Sequence, residues 1–158
     1  DADALNILAK TGQTLAQDSG QTVLTPHPGE FGRLCAGLGI QQTTRENDAA
    51  QLARRHGAVV VLKGQQSVIT DGQRVYLNTT GNPALAVAGS GDVLTGLIAA
   101  LIAQGMACFE AAMLGAYLHG LAGDLWAKDH GPSGMTASDL AKLLPDAFEY
   151  HRMGADGS

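Results

Sequence analysis

Aromatic side chains are scarce, at 4% of the 158 residues, and charged ones make up only 16%. A core with so few rings must be assembled from Ala, Leu, Val and Ile, and a hydrophobic content of 45% supplies them. Low charge with that much apolar material excludes a solvated, disordered chain. Basic residues are also few: 10 Lys+Arg against 15 Asp+Glu give a net charge of -5 and a pI near 5.4. That balance argues against a nucleic-acid binder, which needs a basic footprint. No apolar run reaches the roughly 20 residues of a membrane-spanning helix. The longest, residues 93–103, is interrupted by Thr95 and Gly96, so no membrane partner is expected. The only cysteines, Cys35 and Cys108, show neither CxxC nor metal-ligand spacing and read as buried thiols of a reduced cytosol. A cytoplasmic protein is therefore expected. What the chain has in abundance is glycine, 21 residues, which suits close helix–sheet packing and backbone that approaches a ligand.

The length fits one domain. The chain opens on Asp1-Ala2-Asp3-Ala4-Leu5 with no signal-peptide pattern. Asp3 is placed to cap a helix carrying Leu5, Leu8 and Leu15 and closed by Gly20. Residues 22–25 read as a short strand, and Pro26-His27-Pro28-Gly29-Glu30 as a break before a helix over 31–36. Thr44 caps a helix over 46–56 that Gly57 stops, and the unbroken apolar run 58–62 predicts a strand buried on both faces. Residues 67–70 and 74–77, joined by Asp71-Gly72, predict a hairpin. Ala-rich helices follow over 92–104 and 108–128, able to pack on each other or to face another subunit. A homo-oligomer is expected on that ground. Thr136 and Asp139 start a last helix that Pro145 should kink or break, with a frayed tail over 151–158. Helices alternating with buried strands give an α/β class, with residues 1–150 as its domain.

The chemistry concentrates in residues 81–92, where Gly89-Ser90-Gly91-Asp92 directly precedes a long helix. Free N–H groups and the positive end of the helix dipole make a ready anion site there, and glycine lets a phosphate reach the main chain. Asp92 would repel a stored phosphate. It makes sense if its carboxylate takes a proton from a hydroxyl while the amides stabilise a transferring phosphoryl group. A plain loop with Asp92 as a helix-start charge reads the same four residues. Lys63-Gly64-Gln65-Gln66-Ser67 follows the buried strand, at the carboxyl end where open α/β sheets bind ligands. The alternative there is a surface hairpin with a solvated lysine. His27 and Glu30 also follow a strand. His27 could contact a substrate and Glu30 could orient water on a metal, or both could be ordinary loop residues.

Leu24-Thr25-Pro26-His27-Pro28-Gly29-Glu30-Phe31, Leu62-Lys63-Gly64, Gly81-Asn82-Pro83 and the run Ala88-Gly89-Ser90-Gly91-Asp92-Val93-Leu94-Thr95-Gly96 occur in that order. With the opening six residues they closely resemble the ADP-dependent NAD(P)H-hydrate dehydratase family of the ribokinase-like superfamily, over roughly residues 1–144. The resemblance implies a ribokinase-like layered α/β/α sheet. It also implies a lyase that repairs hydrated NADH or NADPH: a nucleotide phosphorylates the extra ring hydroxyl, and phosphate elimination restores the reduced ring. The co-substrate would be ADP, or ATP as in eukaryotic members. By position, Asp92 would be the base and the amides of Gly89, Ser90 and Gly91 the anion hole. Lys63, Gly64, Gln65, Gln66, Ser67 and Gly91 would hold the nucleotide, and His27 with Asp92 the hydrate. His27-Pro28-Gly29-Glu30 resembles the Asn-x-x-Glu of related kinases that organises Mg²⁺, so Glu30 would act on that ion through water, as Mg²⁺ prefers. Ala84-Leu85 stands where the family commonly has Gly-Met, and Ser67 where Thr is common. The family fold also begins earlier than Asp1, so the N-terminal part of the sheet is expected to be missing here.

A small-molecule kinase of the same superfamily shares Asp92 and the glycine loop, and a non-catalytic nucleotide-binding fragment is the third reading. Other polar residues read as structural. His119 has helical spacing from Leu114 and Leu118, His56, His130 and His151 fall at helix ends or loops, and the lone Trp126 caps the core.

Overall fold

Residues 2–15 and 21–155 are described by a computed structural model. The apolar run becomes β2 (Val59–Leu62), buried at every position and central to the sheet. Its parallel neighbour is β1 (Val23–Leu24), with Val23 opposite Val59. On the other side, β3 (Val68–Thr70) and β4 (Val75–Leu77) continue antiparallel, in the order β1-β2-β3-β4. The expected hairpin is present, turned at Asp71-Gly72, where Asp71 accepts the Gln73 and Arg74 N–H groups at 2.9 and 2.7 Å. Among the described residues β1 and β4 are the edge strands, and Val75 and Leu77 on β4 are exposed.

Strand side chains alternate between faces, so β2 divides its valines between two cores. Val60 and Leu62 pack with Leu5, Phe31, Leu34 and Leu52, which come from α1 (Ala2–Thr11), α2 (Pro28–Gly37) and α3 (Arg45–His56). Val59 and Val61 pack with Leu94, Leu118 and Leu140, from α4 (Ser90–Ala103), α5 (Cys108–His130) and α6 (Ala137–Ala155). The result is the expected three-layer α/β/α arrangement. Each fully buried Leu contributes about 1.5–3 kcal/mol, which is how a core with few aromatic rings holds. Cys35 and Cys108 are both buried free thiols, as expected.

Several local expectations hold. The Thr44 hydroxyl accepts the Asn47 N–H at 3.3 Å, and Gly57 ends α3 in the left-handed region at φ 61°. Thr136 and Asp139 cap α6 reciprocally, at 3.2 Å and 3.1 Å. Other expectations differ from the structure. Asp3 lies in the first turn of α1 and not before it; α1 ends at Thr11, with Gly12 at φ 60°, so Leu15 lies outside the helix. Gly20 falls outside the described residues. Helix α2 begins at Pro28, three residues early, because His27 caps it. Of the kink or break expected at Pro145, the break does not occur: α6 runs through it, and the fully buried Leu140 and Ala147 on either side pin the helix into the core. The expected tail is helical through Ala155, and the His151 ring meets Tyr117 edge-on at 5.3 Å.

Candidate active site

Two strand ends and one helix start meet at a single place. The Lys63 N–H donates to Pro26 O at 2.9 Å, which ties the segment after β1 to the segment after β2. Between them and the N-terminus of α4 lies an open cavity of about 290 Å³. Its polar wall carries His27, Glu30, Lys63 and Asp92, with Gly89 and Gly91 at the helix start; Leu5, Thr25 and Thr95 complete it.

The helix start is a partly occupied amide cluster. Gly89 takes φ 85°, which only glycine adopts easily, and turns the chain into α4. The Ser90 N–H leans on Val87 O at 3.3 Å, and the Asp92 N–H bonds Gly89 O at 3.1 Å. Gly89 and Gly91 make no N–H hydrogen bond among the described residues, and both line the cavity. Of the three amides expected to form the anion hole, only that of Ser90 has a backbone partner among the described residues; the Ser90 hydroxyl donates to Leu85 O at 2.8 Å, and the residue is not part of the cavity wall. A Cβ on Gly91 would come within 3.0 Å of Lys63 Nζ, so the ammonium sits beside the amide cluster. A free amide pair, a helix N-terminus and an ammonium together make a site for phosphate oxygens.

His27 and Glu30 form a capping box. His27 Nδ1 accepts the N–H groups of Gly29 and Glu30 at 3.0 and 3.3 Å, and Glu30 Oε2 accepts the His27 N–H at 2.8 Å. Nδ1 therefore carries no proton, and Nε2–H faces Glu30 Oε1 at 3.6 Å. An imidazole Nδ1 thus does what an asparagine Oδ1 does at a helix N-cap. Glu30 is buried, with one oxygen committed to this box. Pro28 at the first helical position and Glu30 at the third are a cap signature carried by the sequence itself.

The other expected nucleotide residues lie beside the cavity. Gly64, Gln65, Gln66 and Ser67 do not line it; they form a turn with Gln66 at φ 51° and the Ser67 hydroxyl on Gly64 O at 3.1 Å. Arg45 Nη1 donates to Gln65 O at 2.8 Å and holds this turn.

Three contributors escaped the sequence reading. Thr95 Oγ1 donates to Gly91 O at 2.9 Å and meets Thr25 Oγ1 at 3.3 Å. Thr95 lies three residues after Asp92 on one helix face, a spacing that could have found it. Asp124 on α5 accepts the Gly81 N–H at 2.8 Å and the Asn82 side chain at 2.9 Å, and nothing in sequence pairs residues that far apart. His119, buried as expected, reaches Ser90 O from α5 at 2.9 Å. Burial holds its pKa below the ordinary histidine value, and the Lys63 charge adds to this.

Among the described residues no helix is long and apolar enough to cross a membrane, and no group of three His, Cys, Asp or Glu is placed to hold a metal.

This architecture and sequence have known relatives. The chain is 53% identical over 148 residues to a bifunctional NAD(P)H-hydrate repair enzyme of Moorella thermoacetica, covering 92% of this chain and 28% of that protein. It is 44% identical over 147 residues to an ADP-dependent (S)-NAD(P)H-hydrate dehydratase of Neisseria meningitidis, covering 89% of this chain and 49% of that one. The crystal structure of an ADP/ATP-dependent NAD(P)H-hydrate dehydratase from Bacillus subtilis, co-crystallized with ATP/Mg²⁺, superposes with a TM-score of 0.76 at 36% identity, covering 89% of this chain and 51% of that one. Ribokinase of Thermotoga maritima shares the fold alone, at a TM-score of 0.59 and 16% identity. The chain thus spans about half the length, or less, of the curated relatives it matches. The profile of one family matches residues 1–146, nearly the whole chain. On that match, and on the glycine loop and Asp92 that share one cavity, the chain belongs to the NAD(P)H-hydrate dehydratase family.

Proposed function

We propose that this chain carries the phosphoryl-transfer centre of an ADP-dependent dehydratase acting on hydrated NADH or NADPH. The observation that carries the reading is the meeting of Asp92, the unpaired Gly89 and Gly91 N–H groups and the Lys63 ammonium on one cavity wall. Asp92 takes the proton of the ring hydroxyl as that oxygen attacks the terminal phosphorus of ADP, and the bond to AMP breaks. The free amides and Lys63 face the phosphoryl oxygens, where negative charge gathers. The C–O bond to the phosphate then breaks and the adjacent ring carbon loses a proton to water, which re-forms the ring double bond and releases NAD(P)H and inorganic phosphate.

The exposed turn Gly64-Gln65-Gln66-Ser67 meets the remainder of the nucleotide beside the cavity, and His27 contacts the hydrate. The donor set fits Mg²⁺ carried in on the nucleotide: the wall offers two carboxylates, Asp92 and Glu30, beside the Thr25 and Thr95 hydroxyls, too few charged oxygens to hold a resident ion. Glu30 would reach such an ion through water, and the ion would supply charge neutralisation at the phosphates. The reading carries a cytoplasmic setting, where reduced nicotinamide cofactors and free thiols coexist, and a homo-oligomer. Gly115 of α5 packs within the chain against Ile98 of α4, so these Ala-rich helices meet each other, and a homo-oligomer would use another surface.

The test is recovery of reduced-nicotinamide absorbance from purified hydrate with Mg²⁺ and either ADP or ATP. ADP-dependent recovery is expected. ADP binding without recovery, both in this chain and in the same segment set into the full-length Neisseria relative, would overturn the reading.

A further inference from the structure

His119 has its hydrogen bond in a place the phosphoryl-transfer chemistry does not account for. It is 8% exposed on α5, and its Nε2 lies 2.9 Å from Ser90 O. A carbonyl oxygen can only accept, so Nε2 carries the proton and donates. Ser90 O and the Gly91 N–H belong to the same planar peptide unit, and in a trans peptide they point in opposite directions. A donor fixed on one end of that unit therefore aims the other. The Gly91 N–H has no partner among the described residues, and Gly91 lines the cavity. A donor on the carbonyl also polarises the amide and strengthens its N–H as a donor.

The helix that carries His119 is held close to this turn. A Cβ on Gly120 would meet Thr80 C at 2.7 Å, and one on Gly123 would meet Leu85 Cγ at 2.8 Å, so α5 presses against the segment leading into α4. From the other side, the Ser90 hydroxyl is bound to Leu85 O at 2.8 Å. Ser90 is thus gripped through its hydroxyl and its carbonyl, and the glycine amides flanking it are left to the ligand.

We propose that His119 is a positioning residue for the anion hole: its Nε2–H, bound to Ser90 O, fixes the Ser90–Gly91 peptide plane and so holds the Gly91 N–H toward the cavity. The proposal rests on the phosphoryl-transfer reading for its kinetic consequence, while its structural consequence stands without turnover. His119 is not among the residues that line the cavity.

The experiment compares His119→Leu, which removes the donor, with His119→Gln, whose Nε2 occupies nearly the place of the imidazole Nε2. Thermal melts establish that each variant is folded. His119→Asn, whose amide falls short of Ser90 O, replaces the leucine variant if that one does not fold. In His119→Leu, kcat falls about tenfold or more, the scale of a misaimed transition-state donor. KM for the hydrate stays within about twofold, because the aimed amide acts on the phosphoryl group. His119→Gln recovers most of the loss. Independently of turnover, the NMR shift of the Gly91 amide on adding ADP is lost in the leucine variant and kept in the glutamine variant. Parent-like kcat and Gly91 shift in His119→Leu would overturn the proposal, as would equal impairment of both folded variants. If the parent chain shows no turnover, the kinetic comparison is made in the same segment set into the full-length Neisseria relative, and in this chain the Gly91 amide alone decides the role of His119.

Discussion

Replacing Gly120 by Ala sets helix propensity against packing, and the structure says which prevails. In an exposed helix interior the change stabilises by about 1 kcal/mol. Gly120, however, faces the 78–82 segment, and a Cβ there would collide with the Thr80 hydroxyl and come within 2.7 Å of Thr80 C, a backbone atom that no rotamer change can move away. Overpacking of this kind costs about 1–3 kcal/mol. Displacing Thr80 also breaks its hydroxyl's bond to Tyr117 O at 2.7 Å, a further loss of about 1 kcal/mol. The net is a destabilisation of about 1–3 kcal/mol, which for a domain of this size lowers Tm by about 2–12 °C. Gly96 on α4 is the internal control. Its Cβ would meet nothing within 4 Å, so Gly96→Ala should raise stability by about 1 kcal/mol. Urea unfolding and calorimetric melts of both variants make the comparison. A Gly120→Ala protein as stable as the parent would refute the reasoning, because the helix contact would then be soft.

The remaining predictions are shorter. Asp92→Asn should lower hydrate turnover by about 10²–10⁴-fold while ADP binding measured by calorimetry persists; parent-like turnover would exclude Asp92 as the base. The pKa values of His56 and His119 are lowered from 6.5 by burial, so the unfolded chain takes up protons before the folded one does. Stability should therefore decline as pH falls below about 6.5, and melts from pH 7.5 to 5 that show no decline would contradict this. The Cys35 thiol is pushed up to about 11 by burial and by the nearby Asp48 charge. A thiol reagent at pH 8 should leave Cys35 unlabelled in the folded chain and label it in urea, and rapid native labelling would show the site to be open.

Residues 58–62, Thr44 with Gly57, and Thr136 with Asp139 were legible because each acts through neighbours in the chain: a buried strand needs an unbroken apolar run, and a cap needs its side chain within three residues. Asp92 and the glycine loop were legible for the same reason, since a helix start announces its own free amides. The His27 cap is local too, but histidine seldom takes an asparagine's place there, so the segment reads as a break.

By itself, then, the sequence determined the α/β class, most of the elements, and the residue types able to handle a phosphoryl group. Only the tertiary structure decided that Lys63, His27, Glu30 and Asp92 share one cavity, that the Ser90 hydroxyl is bound to Leu85 O while Gly89 and Gly91 line that cavity, and that Pro145 stays inside a helix. It also decided that His119 and Asp124 reach back from α5 to the loops before α4. The physical reason is common to all of these. A backbone hydrogen bond or a packed leucine joins residues tens of positions apart, and local pattern holds no record of such a partner. The position of a group in space follows from the packing of both sheet faces, which no single segment encodes.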